Sequence, residues 1–226
     1  MLTIKNTIWF SLLIQLITGI ISLHGLFITL PDKDKILTDI LGLETVVQLI
    51  EGGFYLWIAY GAKNAFKMTS RRYIDWVITT PMMLLSTIMF MKYQEKKEEE
   101  SDEKVETKSF LIENKDLILK MFAYNFGMLV SGYIGEINLL PKWITTTVGF
   151  YFFYESFNLI YRNYAVKSEL GKKLFNFLLG VWSMYGVAAI LPVKMKNISY
   201  NLLDIVAKNF YGLYLYYKIL EVSNKI

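Results

Sequence analysis

One lysine, two aspartates and an arginine stand where this chain can least accommodate charge. The stretch "NLLDIVAKNFYG" places Asp204 and Lys208 four residues apart, on one helical face, beside Ile205, Val206, Ala207 and Phe210. The stretch "RRYIDWVITTPMMLL" places Arg72 one turn before Asp75, followed by Trp76, Thr79, Thr80 and Pro81. A lysine in apolar surroundings has three courses open to it. It pairs with carboxylates, it gives up its proton, or its desolvated amine condenses with an aldehyde to form a Schiff base. A protonated Schiff base is a cation and needs a counterion. Asp75 and Asp204 offer two carboxylates, and Arg72 balances the excess negative charge.

The elements that carry these residues are apolar. The 226 residues are 54% hydrophobic and 16% aromatic, with a mean hydropathy of +0.35, too apolar for an ordinary soluble domain. A helix crossing a bilayer core needs roughly 20 mostly apolar residues. Seven stretches meet or approach that length: Thr7–Leu30, Ile36–Tyr60, Arg72–Phe90, Leu117–Glu136, Trp143–Tyr161, Leu174–Leu191 and Tyr200–Val222. The alternation of a membrane barrel is not visible. The expectation is an all-α membrane protein, a single seven-helix domain over residues 1–226. The first stretch has no small-residue cleavage pattern and one preceding lysine, so it reads as a retained helix rather than a signal peptide. Lys208 lies about nine residues into the last stretch, near mid-bilayer by helix rise.

The net charge of +4 sits in connections rather than on one face, which excludes a nucleic-acid surface. With the N-terminus outside, fourteen Lys and Arg, Lys225 among them, fall on the inner side and seven, including Lys63 and Lys196, on the outer. That asymmetry predicts the C-terminus in the cytoplasm. Residues 92–115 form a charged cytoplasmic loop, and its run "KYQEKKEEESDEKVETK" reads as a solvated linker. The chain has no Cys and one His, His24, so disulfides, thiolate metal sites and histidine clusters are absent.

The stretches "RRYIDWVITTP" and "LLDIVAK" together resemble the microbial (type I) rhodopsins, seven-helix proteins that hold retinal on a lysine of the seventh helix. The resemblance implies all-trans retinal bound covalently to Lys208, Asp75 as primary counterion and proton acceptor, and Asp204 as second counterion. Thr79, one turn from Asp75, is placed to hydrogen-bond its carboxylate. Pro81 removes a backbone donor and is expected to kink the third helix. "VWSMYG" offers Trp182 and Tyr185 as one wall of the polyene site and Trp76 as the other, with Thr80 beside it. The fifth helix offers Trp143, Thr146, Thr147 and Phe150 around the ionone ring. Each aromatic alone is an ordinary packing residue; the joint pattern is specific. The implied surroundings are a lipid bilayer and transported cations or protons, without enzymatic chemistry, and homo-oligomers are left open.

The same scaffold hosts pumps, channels and sensors. Proton pumps of this family carry a carboxylate seven residues after the Thr79 position, where this chain has Ser86. A serine does not release a proton near neutral pH. The sixth connection, "LPVKMKNIS", holds lysines and no acid; Gly186 replaces a proline, and Asn125 replaces an aspartate of the fourth helix. The second helix places Glu44, Gln48 and Glu51 at spacings of four and three, a polar stripe on an apolar helix. Ser11 and Gln15 on the first helix, and Asn197, Asn201 and Asn209 on the seventh, extend it. Such stripes suit a hydrated cation path, although isolated polar residues also serve interhelical packing. The chain most resembles the group 1 viral rhodopsins, which implies a light-gated cation channel. An outward light-driven proton pump and a sensory photoreceptor are the alternatives.

Overall fold

The computed structural model describes residues 2–61, 65–101 and 103–224; Lys63 and Lys225 of the charge asymmetry lie outside the described residues. Nine α-helices are assigned among them: α1 Ile4–Gly25, α2 Ile36–Gly61, α3 Ala65–Glu98, α4 Thr107–Glu113, α5 Lys115–Glu136, α6 Lys142–Asn163, α7 Glu169–Ala189, α8 Val193–Asp204 and α9 Phe210–Ser223. A π-helical turn, Ile205–Asn209, joins α8 to α9. The seven long rods are therefore α1, α2, α3, α5, α6, α7 and the α8–π–α9 unit, as the seven apolar stretches predict. Taken singly, α1, α5 and residues 67–98 of α3 are long and apolar enough to cross a membrane. The remaining rods are diluted by polar residues, and the structure explains where those point.

The bundle is apolar outside and polar inside. On α1, Thr7, Ser11, Gln15, Thr18 and Ser22 are buried, at spacings of four and three, while Phe10, Leu13, Leu16, Ile17 and Ile20 are exposed. On α2, Glu44, Gln48, Glu51 and Tyr55 are buried and Val46, Leu49, Leu56 and Trp57 face outward. A water-soluble bundle buries the opposite faces. Here the exposed faces suit hydrocarbon, and polar groups turn inward because each would be costly against lipid. Trp143 is 73% exposed on α6, an outward-facing aromatic of the kind found at membrane interfaces.

The third rod is longer than Arg72–Phe90. It runs unbroken through Pro81 and takes in the first part of the charged run, to Glu98. That part of the run is helical and holds the buried Gln94 and Glu95, rather than a solvated linker. Glu98 caps α7: its carboxylate accepts from the backbone amides of Glu169 and Leu170, at 2.9 and 3.2 Å, where an anion is favoured by the helix dipole. Thr107, the first residue of α4, donates to Asp39 of α2 at 2.6 Å.

Lys196, counted on the outer side as a connection lysine, is wholly buried in α8 and pairs with Glu136 of α5 at 2.7 Å. The pair ties two rods that are not neighbours in sequence. Removing one member leaves an uncompensated buried charge, whereas removing both removes the desolvation cost too. Lys196→Met and Glu136→Gln singly should each destabilise by roughly 3–5 kcal/mol. The double variant should lose less than the sum, as a thermal-unfolding double-mutant cycle in detergent would read.

Candidate functional site

Lys208 sits in the π-helical turn, 2% exposed, with its alkyl stem among apolar neighbours. A π turn interrupts the regular ladder and is frequent at functional sites. The Nζ lies 3.0 Å from Asp75 Oδ2 on α3 and 3.1 Å from Glu51 Oε1 on α2. An ammonium has three donors and can serve both acids. Charge in an interior persists when it is paired, and this geometry supplies two partners within contact.

Asp204, the expected second counterion, is engaged elsewhere. Its Oδ2 accepts from Arg72 at 3.0 Å and from Tyr55 at 2.7 Å, and its Oδ1 from Tyr185 at 2.8 Å. Arg72 is fully buried, and its second nitrogen reaches the side-chain oxygen of Asn201. The guanidinium also lies 5.6 to 5.8 Å from the rings of Phe54, Tyr55 and Tyr200. Among the described residues, the carboxylate that joins Asp75 at the lysine is thus Glu51. Sequence spacing missed this because Asp204 and Lys208 share a helix, and side chains on one helix need not converge. Thr79 also departs from expectation: its hydroxyl donates to the backbone carbonyl of Asp75, at 3.0 Å, rather than to the carboxylate. Leaving Asp75 Oδ1 without a hydrogen bond is the consequence.

Beside the lysine lies an apolar cavity bounded by α3, α5, α6, α7, α8 and the π turn, in whose lining Lys208 is the one charged residue. Trp76 and Trp182 line it as expected, with Tyr185, Thr80 and Phe150. Thr80 donates to the Trp76 carbonyl at 2.7 Å and accepts from Asn125 of α5 at 2.8 Å, which fixes the rotamer beneath the cavity. Thr147 does not line it: the residue is exposed and donates to the carbonyl of Trp143, at 2.8 Å. Thr145, Thr146, Gly149, Phe150 and Phe153 are the α6 residues that line it, so Thr146 and Phe150 stand where the sequence placed them and Trp143 and Thr147 do not. Gly186 lies against the Phe150 ring, where a Cβ would collide with it, and this keeps the ring seated at the cavity wall. Met83, Met128, Leu129 and Tyr200 are also among the lining residues and carried no signal beyond hydrophobicity. Tyr55 did carry one, since it continues the Glu44–Gln48–Glu51 stripe four residues on.

That stripe meets α1 and the α8–π–α9 unit in a buried seam. Ser11 donates to the Asn201 carbonyl at 2.7 Å, Asn201 donates to Thr7 at 2.7 Å, and Thr18 donates to the Asn209 side chain. Ser22 reaches Gln48 at 3.4 Å, Asn197 donates to Thr69 at 3.0 Å, and Ser86 donates to Glu44. Every stripe residue expected from the sequence is therefore in one seam and at most 3% exposed. Packing has not satisfied all of them. The Gln15 amide, Gln48 Nε2, Glu44 Oε2 and Asn209 Nδ2 have no protein hydrogen-bond partner.

The residues fit a ligand with a long apolar body and one charged end attached at Lys208: aromatic walls, one ionisable amine, and two carboxylates at the end that bears it. The fold is shared with solved proteins. A viral rhodopsin, OLPVRII, superposes with a TM-score of 0.82 at 24% identity, covering 97% of this chain and 98% of the other. Thermophilic rhodopsin from Rubrobacter xylanophilus gives 0.75 at 17%, covering 97% of each chain. The bromide-bound halorhodopsin of Halobacterium salinarum gives 0.74 at 17%, covering 98% and 93%. A comparison with curated protein sequences gave no match. The model of the family described as bacteriorhodopsin-like protein matches residues 6–222. The chain is thus a multi-pass membrane protein of the bacteriorhodopsin-like, or microbial rhodopsin, family.

Proposed function

We propose that this protein is a light-gated cation channel whose chromophore, retinal, is carried on Lys208. Family membership implies retinal bound through a lysine, and Lys208 is the lysine that lines the aromatic cavity. When bound, the group supplies light absorption, a change of shape, and a nitrogen that yields and regains one proton. Asp75, at 3.0 Å, is the nearest acceptor for that proton. Arg72 fixes Asp204 and so holds the far wall of the charge cluster in place.

The observation that carries the channel reading is the buried seam with its unpaired amide and carboxyl atoms. Buried polar groups without partners cost about 1–3 kcal/mol each unless hydrated or ion-bound. A seam used only for packing would close its hydrogen bonds; one used for passage keeps donors and acceptors ready to replace lost water. Glu51 belongs both to the seam and to the Lys208 pair. Asp75 and Glu51 would hold the nitrogen's positive charge between them, and passing its proton to Asp75 would release Glu51 as a free carboxylate on the seam. The cytoplasmic side is then the α4 end, in line with the lysine asymmetry. The outward-pump reading draws on one observation: Glu44 meets Ser86, eleven residues beyond Asp75 along α3 toward the α4 end.

Lys208→Ala should yield a colourless protein when reconstituted with retinal; a retained covalent pigment would assign the chromophore to another residue. Asp75→Asn should shift absorption to the red by removing the counterion, and an unmoved spectrum would exclude it. Photocurrent under voltage clamp should reverse with the imposed cation gradient, and Glu51→Gln should alter its size or selectivity. Current that stays outward against the gradient would favour the pump, and unaltered current in Glu51→Gln would leave that acid a packing role.

A further inference from the structure

Charge is distributed unevenly between the two ends of the bundle. At the α4 end lysines meet acids: Lys35 lies 2.5 Å from Asp32, Lys96 2.5 Å from Glu103, Lys172 2.8 Å from Glu169 and Lys218 2.7 Å from Glu221. The opposite end is built from the first turns of α1, α3, α6 and α8 and the last turns of α2, α5 and α7. It exposes Lys5, Lys67, Lys142 and Lys194, and Arg71 is half-buried there. The ion pairs among the described residues include none of these five cations. The connections at this end hold a single acid, Glu136, and the buried Lys196 already occupies it at 2.7 Å, with Lys142 beside the pair.

The surroundings place these cations at the level of lipid headgroups. The exposed tryptophans, Trp9, Trp57 and Trp143, all stand toward this end. The Arg71 guanidinium lies 4.6 Å from the centre of the Trp57 ring, and Trp9 meets Tyr60 edge to face at 5.6 Å. Trp143 follows Lys142 directly, and Leu139 and Leu140 of the preceding connection are exposed. Tryptophan and tyrosine settle between acyl chains and headgroups. Lysines beside them extend their ammonium groups to the phosphates while their stems stay in apolar surroundings. Exposed leucines at this depth suit acyl chains and not a soluble polyanion.

We infer that the face opposite α4 is a docking surface for phosphate-bearing anionic lipids, whose headgroups supply the negative charge that this end of the protein lacks. Unpaired lysines and an arginine attract such headgroups and give their phosphates charge-assisted hydrogen bonds. Docking of this kind needs neither the chromophore nor an ion path. It has one consequence for the path, which rests on the channel reading. Lys5, Lys67 and Lys194 precede the seam residues Thr7, Thr69 and Asn197 by two or three residues, roughly 3–5 Å along each axis. Headgroups that neutralise these lysines weaken the field that would repel a cation from that end of the seam.

The exposed tryptophans report on their own lipid neighbours, without light, current or pigment. The full chain is placed in phosphatidylcholine nanodiscs with a small fraction of lipid brominated on its acyl chains, which quenches nearby tryptophan. Brominated phosphatidylglycerol should quench as though enriched about fivefold over brominated phosphatidylcholine, the effect of one cation at a charged surface. Salt at about 1 M, where the Debye length is about 3 Å, should weaken the preference. Lys5→Gln, Lys67→Gln, Lys142→Gln and Lys194→Gln combined should remove it. Lys142→Gln and Lys194→Gln singly should each lower it, which keeps the test decisive if the combined variant does not fold. Lys35→Gln with Lys218→Gln, at the α4 end, should leave it unchanged. Equal quenching by the two lipids overturns the proposal, as does a preference that survives in the Lys142 and Lys194 variants. Loss of the preference in inorganic phosphate, against chloride at the same ionic strength, would overturn lipid docking in favour of a site for the free anion.

Discussion

Lys208 is held between Asp75 and Glu51 in an interior that offers no bulk water. Each of these charges alone would cost several kcal/mol to bury, and each is tolerated because the others are there. The second cluster, Arg72 with Asp204, Tyr55, Tyr185 and Asn201, follows the same rule one layer away. The rods that bring these residues together are α2, α3, α7 and the α8–π–α9 unit. Their packing is specified by polar contacts more than by apolar ones, because apolar side chains gain little by leaving lipid for a protein interior.

This reversal organises the whole bundle. Stripes that a soluble protein would show to water point inward on α1 and α2, and the exposed faces are Leu, Ile, Phe and Trp. Polarity collected at the centre does two things at once: it pairs charges around Lys208, and it lines a seam between α1, α2 and the α8–π–α9 unit. Glu51 belongs to both, since it meets Lys208 and shares the α2 stripe with Glu44 and Gln48. The widened turn at Ile205–Asn209 sets the lysine at that junction.

The seven rods, the lysine and its Asp75 partner, the Trp76 and Trp182 walls, and the α2 stripe were legible because each rests on local rules: apolar length, helical period, and the cost of charge among apolar neighbours. What the sequence misread has a common cause. Thr147 faces outward and Lys196 is buried against Glu136, although each sits at a position that suggested otherwise. Spacing says which residues share a face; it does not say which way that face is turned or what stands opposite it.

Composition and period by themselves therefore determined that the chain is a helical membrane bundle with one buried lysine and at least one acid to meet it. Only the tertiary structure decided that Glu51 is the second acid, that Glu44 meets Ser86 across two helices, and that Glu98 caps α7. The physical reason is that ion pairs and hydrogen bonds act over about 3 Å. Residues far apart in the chain come within that distance through the rotation and register of packed helices, which no single helix encodes.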